Sequence, residues 1–141
     1  MRAVVEIKNG VHWVGAVDWD IKDFHGYSTY KGTTYNSYLI LDDKITLFDT
    51  VKKPFKNDLL HNIYKVIDPS KIDYLVINHV EPDHSGSIPE MVEIIKPQKI
   101  FCSARNYYSR SVQAEPNSYT NSLPSSRFVY CWRLQNLRCG C

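Results

Sequence analysis

Residues 74–90 read YLVINHVEPDHSGSIPE, and this stretch decides the fold class. Tyr74–Ile77 is apolar on both faces, as is typical of a buried parallel strand. A polar loop follows at 78–86. Ser87 and Glu90 then have the spacing of a capping box, which predicts a helix over about 87–95. A strand, a loop and a helix in this order make the repeating unit of an α/β fold.

The residues around this unit predict further strands and one more helix. Strands are expected at residues 4–7, 11–17, 33–41, 45–49 and 99–102. Asn9-Gly10 lies between the first two and is a strong signal for a type I′ hairpin turn. A helix is expected over 55–67, because its apolar residues fall on one face. The sequence therefore predicts an α/β layered fold that opens with hairpins and continues with strand–helix units.

Composition limits the class of protein. The chain has 141 residues, the size of one ordinary domain, and it is 43% hydrophobic and 23% charged, which is a globular balance. Its apolar runs are far shorter than the about 20 residues that a membrane-spanning helix needs. The N-terminal residues have no signal-peptide h-region, and a net charge of +2 does not favour nucleic acid. We therefore expect a cytoplasmic protein with no membrane or nucleic-acid partner.

The composition of the chain changes after Ser103. Residues 1–103 hold every lysine and histidine, whereas residues 104–141 hold five of the six arginines and a single acid, Glu115. The second segment also lacks helical or strand periodicity. We therefore expect a domain at 1–103 and a non-matching, poorly ordered tail at 104–141. The tail is interpreted as sequence never selected for this fold, such as translation through a shifted frame, with a basic interaction arm as the alternative.

Four potential metal ligands lie within six residues of the loop: His79, Glu81, Asp83 and His84. Loops at the carboxyl ends of strands are where α/β folds place ligand sites, and imidazole with carboxylate suits iron, manganese or zinc. Four such side chains are more protein ligands than one metal ion needs if it keeps a coordination position open. A dinuclear site is the natural inference, with His79 and Glu81 on one metal and Asp83 and His84 on the other. The alternative is a solvated turn that is polar because it is exposed.

Residues 79–86, HVEPDHSG, resemble the metal signature of the flavodiiron proteins. The metallo-β-lactamase-like domain of that family carries H-x-E-x-D-H where hydrolases of the superfamily carry H-x-H-x-D-H, so Glu81 is the discriminating residue. Residues 19–27 and 32–40 also resemble the family, and the resemblance covers about 1–103. It implies the N-terminal half of a metallo-β-lactamase-like αββα sandwich. A sandwich truncated in this way would leave an apolar sheet face uncovered.

The resemblance also implies a chemistry and partners. Flavodiiron proteins reduce dioxygen to water, or nitric oxide to nitrous oxide, at a non-haem diiron centre. Electrons pass from a redox donor protein through FMN in a flavodoxin-like domain, and two subunits form a head-to-tail homodimer. By resemblance His79 and Glu81 would bind one iron and Asp83 and His84 the other, and His25 would line the substrate pocket. The alternative for His25 is a loop histidine in solvent.

The ligand set implied by the resemblance is incomplete in this sequence. The family needs two more histidines and a bridging aspartate downstream, but no histidine follows His84. A flavodoxin-like domain cannot be matched either. We therefore expect an inactive fragment of a flavodiiron oxidoreductase. Two alternatives are a zinc metallo-hydrolase of the same superfamily, against which Glu81 argues, and a non-enzymatic truncated product.

Asp49 ends the strand expected at 45–49 and precedes Thr50. It could orient a ligand histidine from outside the metal's own ligand set. It could equally be a turn-forming aspartate at the end of a strand. The sequence alone leaves both interpretations open.

Overall fold

The computed structural model describes residues 4–24, 26–28, 30–78, 80–103 and 128–131. The strands in chain order are Val5–Lys8 (β1), Val11–Trp13 (β2), Ala16–Asp18 (β3), Asp23–Phe24 (β4), Tyr27–Ser28 (β5), Thr33–Tyr35 (β6), Tyr38–Ile40 (β7), Thr46–Phe48 (β8), Tyr74–Ile77 (β9), Lys99–Ser103 (β10) and Phe128–Cys131 (β11). The main sheet has the order β1-β2-β7-β8-β9-β10-β11, and β3 pairs with β6 and β4 with β5 in two small sheets. Within the main sheet β8, β9 and β10 are parallel, and the other pairs are antiparallel.

Helices connect the parallel strands. They are Lys56–Tyr64 (α1), Pro82–Ser85 (α2) and Ile88–Ile95 (α3), with 3₁₀ turns at Lys53–Phe55 and Pro69–Lys71. α1 joins β8 to β9, and α2 with α3 joins β9 to β10. The predicted order of hairpins followed by strand–helix units is thus confirmed. Within the described part of the chain, the helices are too short or too polar to cross a membrane.

One face of the main sheet forms the core. Leu39, Leu47 and Leu75 lie opposite one another on β7, β8 and β9, and each is fully buried. Ile63 from α1 and Met91 from α3 belong to the same buried cluster. The alternation of buried and half-buried residues along these strands is the period of two that a sheet with one covered face requires.

The opposite face of the sheet is apolar and only half covered. Tyr38, Phe48, Val76 and Phe101 lie in register across β7, β8, β9 and β10. Each of the four is of intermediate exposure. Directly opposed residues share a face of the sheet, so together they make one apolar row. Such a row agrees with the expectation for one half of a layered sandwich.

Two of the predicted long strands are each divided in the structure. The strand expected at 11–17 is β2 and β3, and the strand expected at 33–41 is β6 and β7. The divisions face each other where Gly15 approaches the backbone of Tyr35, so closely that an added Cβ would lie 2.1 Å from the Tyr35 carbonyl oxygen. Glycine permits this close approach because it has no Cβ. Beyond this point β3 and β6 pair with each other in a small sheet and not with the main sheet.

The predicted type I′ turn at Asn9-Gly10 is wrong. Gly10 has a φ of +76°, but Asn9 is not among the described non-glycine residues with positive φ. A type I′ turn needs positive φ at both positions. The register between β1 and β2 instead shifts between Glu6 and Lys8, and Gly10 N donates to Glu6 Oε1 at 3.1 Å. The hairpin therefore exists, with Lys8 paired to Val11 across a two-residue turn that has positive φ at Gly10 only.

The predicted capping box at Ser87 and Glu90 is also wrong. Ser87 has a φ of −103° and a ψ of −1° and makes no side-chain cap. The preceding helix, α2, ends at Ser85, so the chain is already turning when it reaches Ser87. Glu90 instead lies 3.7 Å from the Nζ of Lys53. A helix that begins directly after another helix does not need the extended N-cap that the pattern implies.

Four residues of the tail, Phe128–Cys131, pair with the sheet as β11. The antiparallel register places Ile100 opposite Cys131 and Ser103 opposite Phe128. The rest of 104–141 lies outside the described residues. The division of the chain into a domain at 1–103 and a non-matching tail therefore stays a prediction.

Candidate metal centre

The predicted metal loop contains a one-turn helix, α2, which the sequence analysis did not predict. Glu81 is its N-cap residue, with an extended backbone. The Glu81 carbonyl oxygen accepts hydrogen bonds from His84 N at 2.9 Å and Ser85 N at 2.8 Å. Pro82 occupies the first helical position, where its fixed φ suits the helix and its missing N–H is not needed. The turn fixes the backbone of Asp83 and His84.

Asp83 and His84 are brought together on this turn. His84 Nε2 lies 3.6 Å from Asp83 Oδ2, and each side chain is 13% exposed. Within the part of the chain that the structure describes, Asp83 Oδ1 is buried and has no hydrogen-bond partner. A buried carboxylate oxygen without a donor is costly, and a cation is one group that can satisfy it. A carboxylate beside an imidazole also fits the ligand preference of iron, manganese or zinc.

The structure does not bring the other predicted ligands into this pair. Glu81 is exposed. No group of three or more His, Cys, Asp or Glu side chains that could hold a metal occurs among the residues described. His79 and His25 lie outside them, so the pairing of His79 with Glu81 and the place of His25 in a substrate pocket stay predictions. The described chain supplies two adjacent candidate ligands, too few for tight binding of an iron ion.

The start of the loop is held by Asp49. This residue is 9% exposed and has a φ of +56°, in the left-handed region that aspartate tolerates better than most residues. Its carboxylate accepts hydrogen bonds from Asn78 N at 2.8 Å and from Asn78 Nδ2 at 2.9 Å. The backbone of Asp49 is thus that of a turn residue, and its side chain binds the residue that precedes His79.

The end of the loop is held by Thr50, whose role the sequence analysis missed. Thr50 is fully buried, and its hydroxyl donates to the His84 carbonyl oxygen at 2.6 Å. Within the loop, Ser85 Oγ donates to the Val80 carbonyl oxygen at 2.9 Å. The only local signal for Thr50 is a polar residue directly after an apolar strand. Its partner lies 34 residues away, beyond the reach of any periodic pattern.

A second buried polar pair, Asp18 with Tyr35, was also missed. The Tyr35 hydroxyl donates to Asp18 Oδ2 at 2.8 Å, and Asp20 N and Ile21 N donate to Asp18 Oδ1 at 3.1 and 3.2 Å. Burial alone would raise the pKa of Asp18. The three hydrogen bonds and the charge of Lys52 outweigh burial, so the pKa lies below the ordinary value of 3.8.

The Asp18–Tyr35 pair lies within electrostatic reach of the candidate metal centre. Burial raises the pKa of the Tyr35 hydroxyl, and the hydrogen bond and negative charge of Asp18 raise it further. The carboxylate of Asp83 adds a smaller contribution in the same direction. The pair therefore forms part of the polar surroundings of Asp83.

Replacement of Tyr35 by phenylalanine is expected to destabilise the chain by about 1–3 kcal/mol at neutral pH, because buried Asp18 loses a donor. The folded-state pKa of Asp18 lies below 3.8, so its stabilising effect is complete above that value and is lost as the pH falls through the folded-state pKa. Urea unfolding between pH 3 and pH 7 measures this. Tyr38→Phe on β7 is the matched control. A Tyr35→Phe effect that does not shrink on acidification would contradict the charge-assisted bond.

The sequence of the chain is similar to the sequences of known oxidoreductases. A family model described as ODP family beta lactamase matches residues 33–112, more than half of the chain. A nitric oxide reductase from Moorella thermoacetica is 49% identical over 111 residues, which cover 77% of this chain and 28% of that protein. The chain thus spans little more than a quarter of the length of this curated relative.

Comparison with solved structures leads to the same group of proteins. The rubredoxin oxygen:oxidoreductase from Desulfovibrio gigas matches with a TM-score of 0.65 and 55% identity, covering 70% of this chain and 25% of that one. The flavodiiron protein from Giardia intestinalis matches with a TM-score of 0.64 and 41% identity, covering 68% and 24%. The predicted fold class is confirmed, because the described α/β layers match part of these larger proteins.

Proposed function

Because this chain belongs to the flavodiiron protein family, we propose that it carries the first metal-ligand loop of a non-haem diiron oxidoreductase. The reaction would be reduction of dioxygen to water or of nitric oxide to nitrous oxide. The names of similar proteins support this, since one is a nitric oxide reductase and another a rubredoxin oxygen:oxidoreductase. The observation that carries the proposal is the adjacent, mostly buried pair of Asp83 and His84, in which one carboxylate oxygen has no hydrogen-bond partner among the described residues.

Each residue of the loop has a role in this proposal. Asp83 and His84 would hold one iron ion, and His79 and Glu81 would hold the other. When bound, the iron pair supplies binding positions and electrons for a diatomic substrate. α2 fixes the backbone of Asp83 and His84, and their low exposure limits competition by water for the same donor atoms. His25 would contribute an imidazole to the substrate pocket.

We propose that these 141 residues alone do not catalyse the reaction. The sequence supplies no histidine after His84, so each iron would keep about two protein ligands. FMN, a flavodoxin-like domain, a redox donor protein and a head-to-tail homodimer are expected of the whole protein. The chain spans about a quarter of its relatives, so these partners belong to the proposal for the full-length protein.

Glu81→His tests which metal the loop prefers. The change makes the loop resemble that of the zinc hydrolases, so the ratio of zinc affinity to iron(II) affinity is expected to rise at least about tenfold. Competition with a chromogenic chelator under anaerobic conditions measures both dissociation constants. The matched control is Glu93→His, which places the same new imidazole on an exposed position of α3.

The control separates a ligand role from a general effect of an added histidine. Glu93→His is expected to leave the ratio of the two affinities unchanged. An unchanged ratio in Glu81→His as well would mean that Glu81 does not contribute to metal choice. The assignment of this loop to a diiron rather than a zinc lineage would then lose its discriminating residue.

A further inference from the structure

We infer that Asp49 and Thr50 form a two-ended clamp that sets the shape of the metal loop before any metal binds. The two residues are adjacent at the carboxyl end of β8, yet they bind opposite ends of the loop on the neighbouring strand–helix unit. They would act as positioning residues for the ligand pair, not as ligands. The inference deepens the proposed function and rests on it for the role in metal binding.

At one end, the clamp determines where the loop leaves β9. Both Asp49 carboxylate oxygens are used, one by the backbone N–H and one by the side-chain amide of Asn78. These two hydrogen bonds constrain the orientation of Asn78 as well as its position. Asn78 is also the residue that directly precedes His79, the first predicted ligand.

At the other end, the clamp holds a predicted ligand directly. Thr50 Oγ1 lies 2.6 Å from the carbonyl oxygen of His84, the residue whose imidazole adjoins Asp83. Thr50 is fully buried, so water does not compete for this bond. The bond fixes the main chain of His84 through its carbonyl oxygen and does not involve its ring.

The clamp is itself anchored on both sides. Asp49 N donates to the Val76 carbonyl oxygen on β9 at 2.8 Å, and Ser37 Oγ donates to the Asp49 carbonyl oxygen at 2.9 Å. Asp49 itself has a left-handed backbone, with a φ of +56°. Such a conformation costs free energy and persists only where its surroundings hold it. Ligands supported by rigid neighbours bind metal more tightly than ligands on a loose loop.

Thr50→Val tests the clamp, because it keeps the shape of the side chain and removes the hydroxyl. We expect amide hydrogen exchange at Ser85 and Gly86 to accelerate about tenfold while the amides of β7 and β8 keep their rates. Zinc affinity of the 141-residue chain, measured by calorimetry with zinc alone, is expected to fall at least about tenfold. Thr50→Ser should restore both values, since serine retains the donor.

Thr46→Val is the matched control. It makes the same substitution at the start of β8 and removes a hydroxyl bond to the Lys44 carbonyl oxygen, away from the loop. It should change neither loop exchange nor zinc affinity. Asp49→Asn is the companion variant for the other end of the loop, because asparagine tolerates the left-handed backbone but replaces one of the two carboxylate acceptors by an NH₂ donor and removes the negative charge. It should accelerate exchange at Asn78.

The outcomes separate the clamp from the proposed function. If the parent chain binds no zinc, the proposed metal role fails, and exchange at Ser85 and Gly86 alone decides whether the clamp exists. Unchanged exchange in Thr50→Val would overturn the clamp whatever the metal result. Faster exchange with unchanged zinc affinity would overturn its positioning role, as would failure of Thr50→Ser to restore affinity.

Discussion

Gly15→Ala is expected to unfold most of the chain under conditions in which the parent is folded. An added Cβ would lie 2.1 Å from the Tyr35 carbonyl oxygen and 2.9 Å from the Ser37 backbone nitrogen. Both contacts are with backbone, which cannot rotate away as a flexible side chain can. Relief would require β3 and β6 to separate. The cost should exceed the about 1–3 kcal/mol typical of overpacking, a large part of the about 5–15 kcal/mol that holds a domain together.

Urea unfolding followed by circular dichroism measures this loss. Gly26→Ala is the comparison, because its added Cβ would meet nothing within 4 Å. Gly26 has a φ of +79°, so alanine there should still cost about 1–2 kcal/mol of backbone strain. We expect the Gly15 variant to lose considerably more. Equal losses would show that the approach of β3 to β6 is not the constraint that divides the predicted strands.

The parallel part of the fold was predictable because its signals are local. The strand at Tyr74–Ile77 was predicted with its observed bounds, since a short apolar run between polar residues marks a buried strand. The helix Ile88–Ile95 was predicted close to its bounds, although the prediction rested on the spacing of Ser87 and Glu90. Its predicted capping box was wrong because α2 ends at Ser85, so the chain is already turning at Ser87, and the sequence analysis did not predict α2.

The divided strands could not be predicted from their own residues. Residues 33–41 have continuous strand character, and nothing within them marks a break. The break depends on a partner some 20 residues earlier, where Gly15 alone is small enough to approach Tyr35. Local patterns describe one segment at a time, whereas this feature belongs to a pair of segments.

The candidate site shows the same difference between local signals and contacts of distant segments. His79, Glu81, Asp83 and His84 could be selected because four potential ligands in six residues are conspicuous in the sequence. The residues that support the loop could not be selected in this way, because each is an ordinary polar residue whose partner is distant in the sequence. Thr50 is an example, since its bond to His84 spans 34 residues. The sequence therefore identified the groups that could bind a metal and not those that hold them in place.

Asp83→Asn is expected to weaken metal binding by about 100-fold or more, because removal of a ligand should cost at least as much as the largest losses seen for supporting residues. The same change should not destabilise the metal-free chain. Asp83 Oδ1 is buried without a hydrogen-bond partner among the described residues, so the change breaks no hydrogen bond at that atom. Loss of binding without loss of stability is characteristic of a functional residue rather than a structural one.

Anaerobic iron(II) titration against a chromogenic chelator tests the central claim most directly. It should compare the parent chain, Asp83→Asn and the control Asp42→Asn, which makes the same change in an exposed turn. The predicted result is weak binding, micromolar or weaker, by the parent and by Asp42→Asn, with binding lost in Asp83→Asn. Equal binding by all three chains would contradict the assignment of the loop as the ligand source. Nanomolar binding by the parent would contradict the incomplete ligand set, because residues 104–141 would then have to supply the missing ligands.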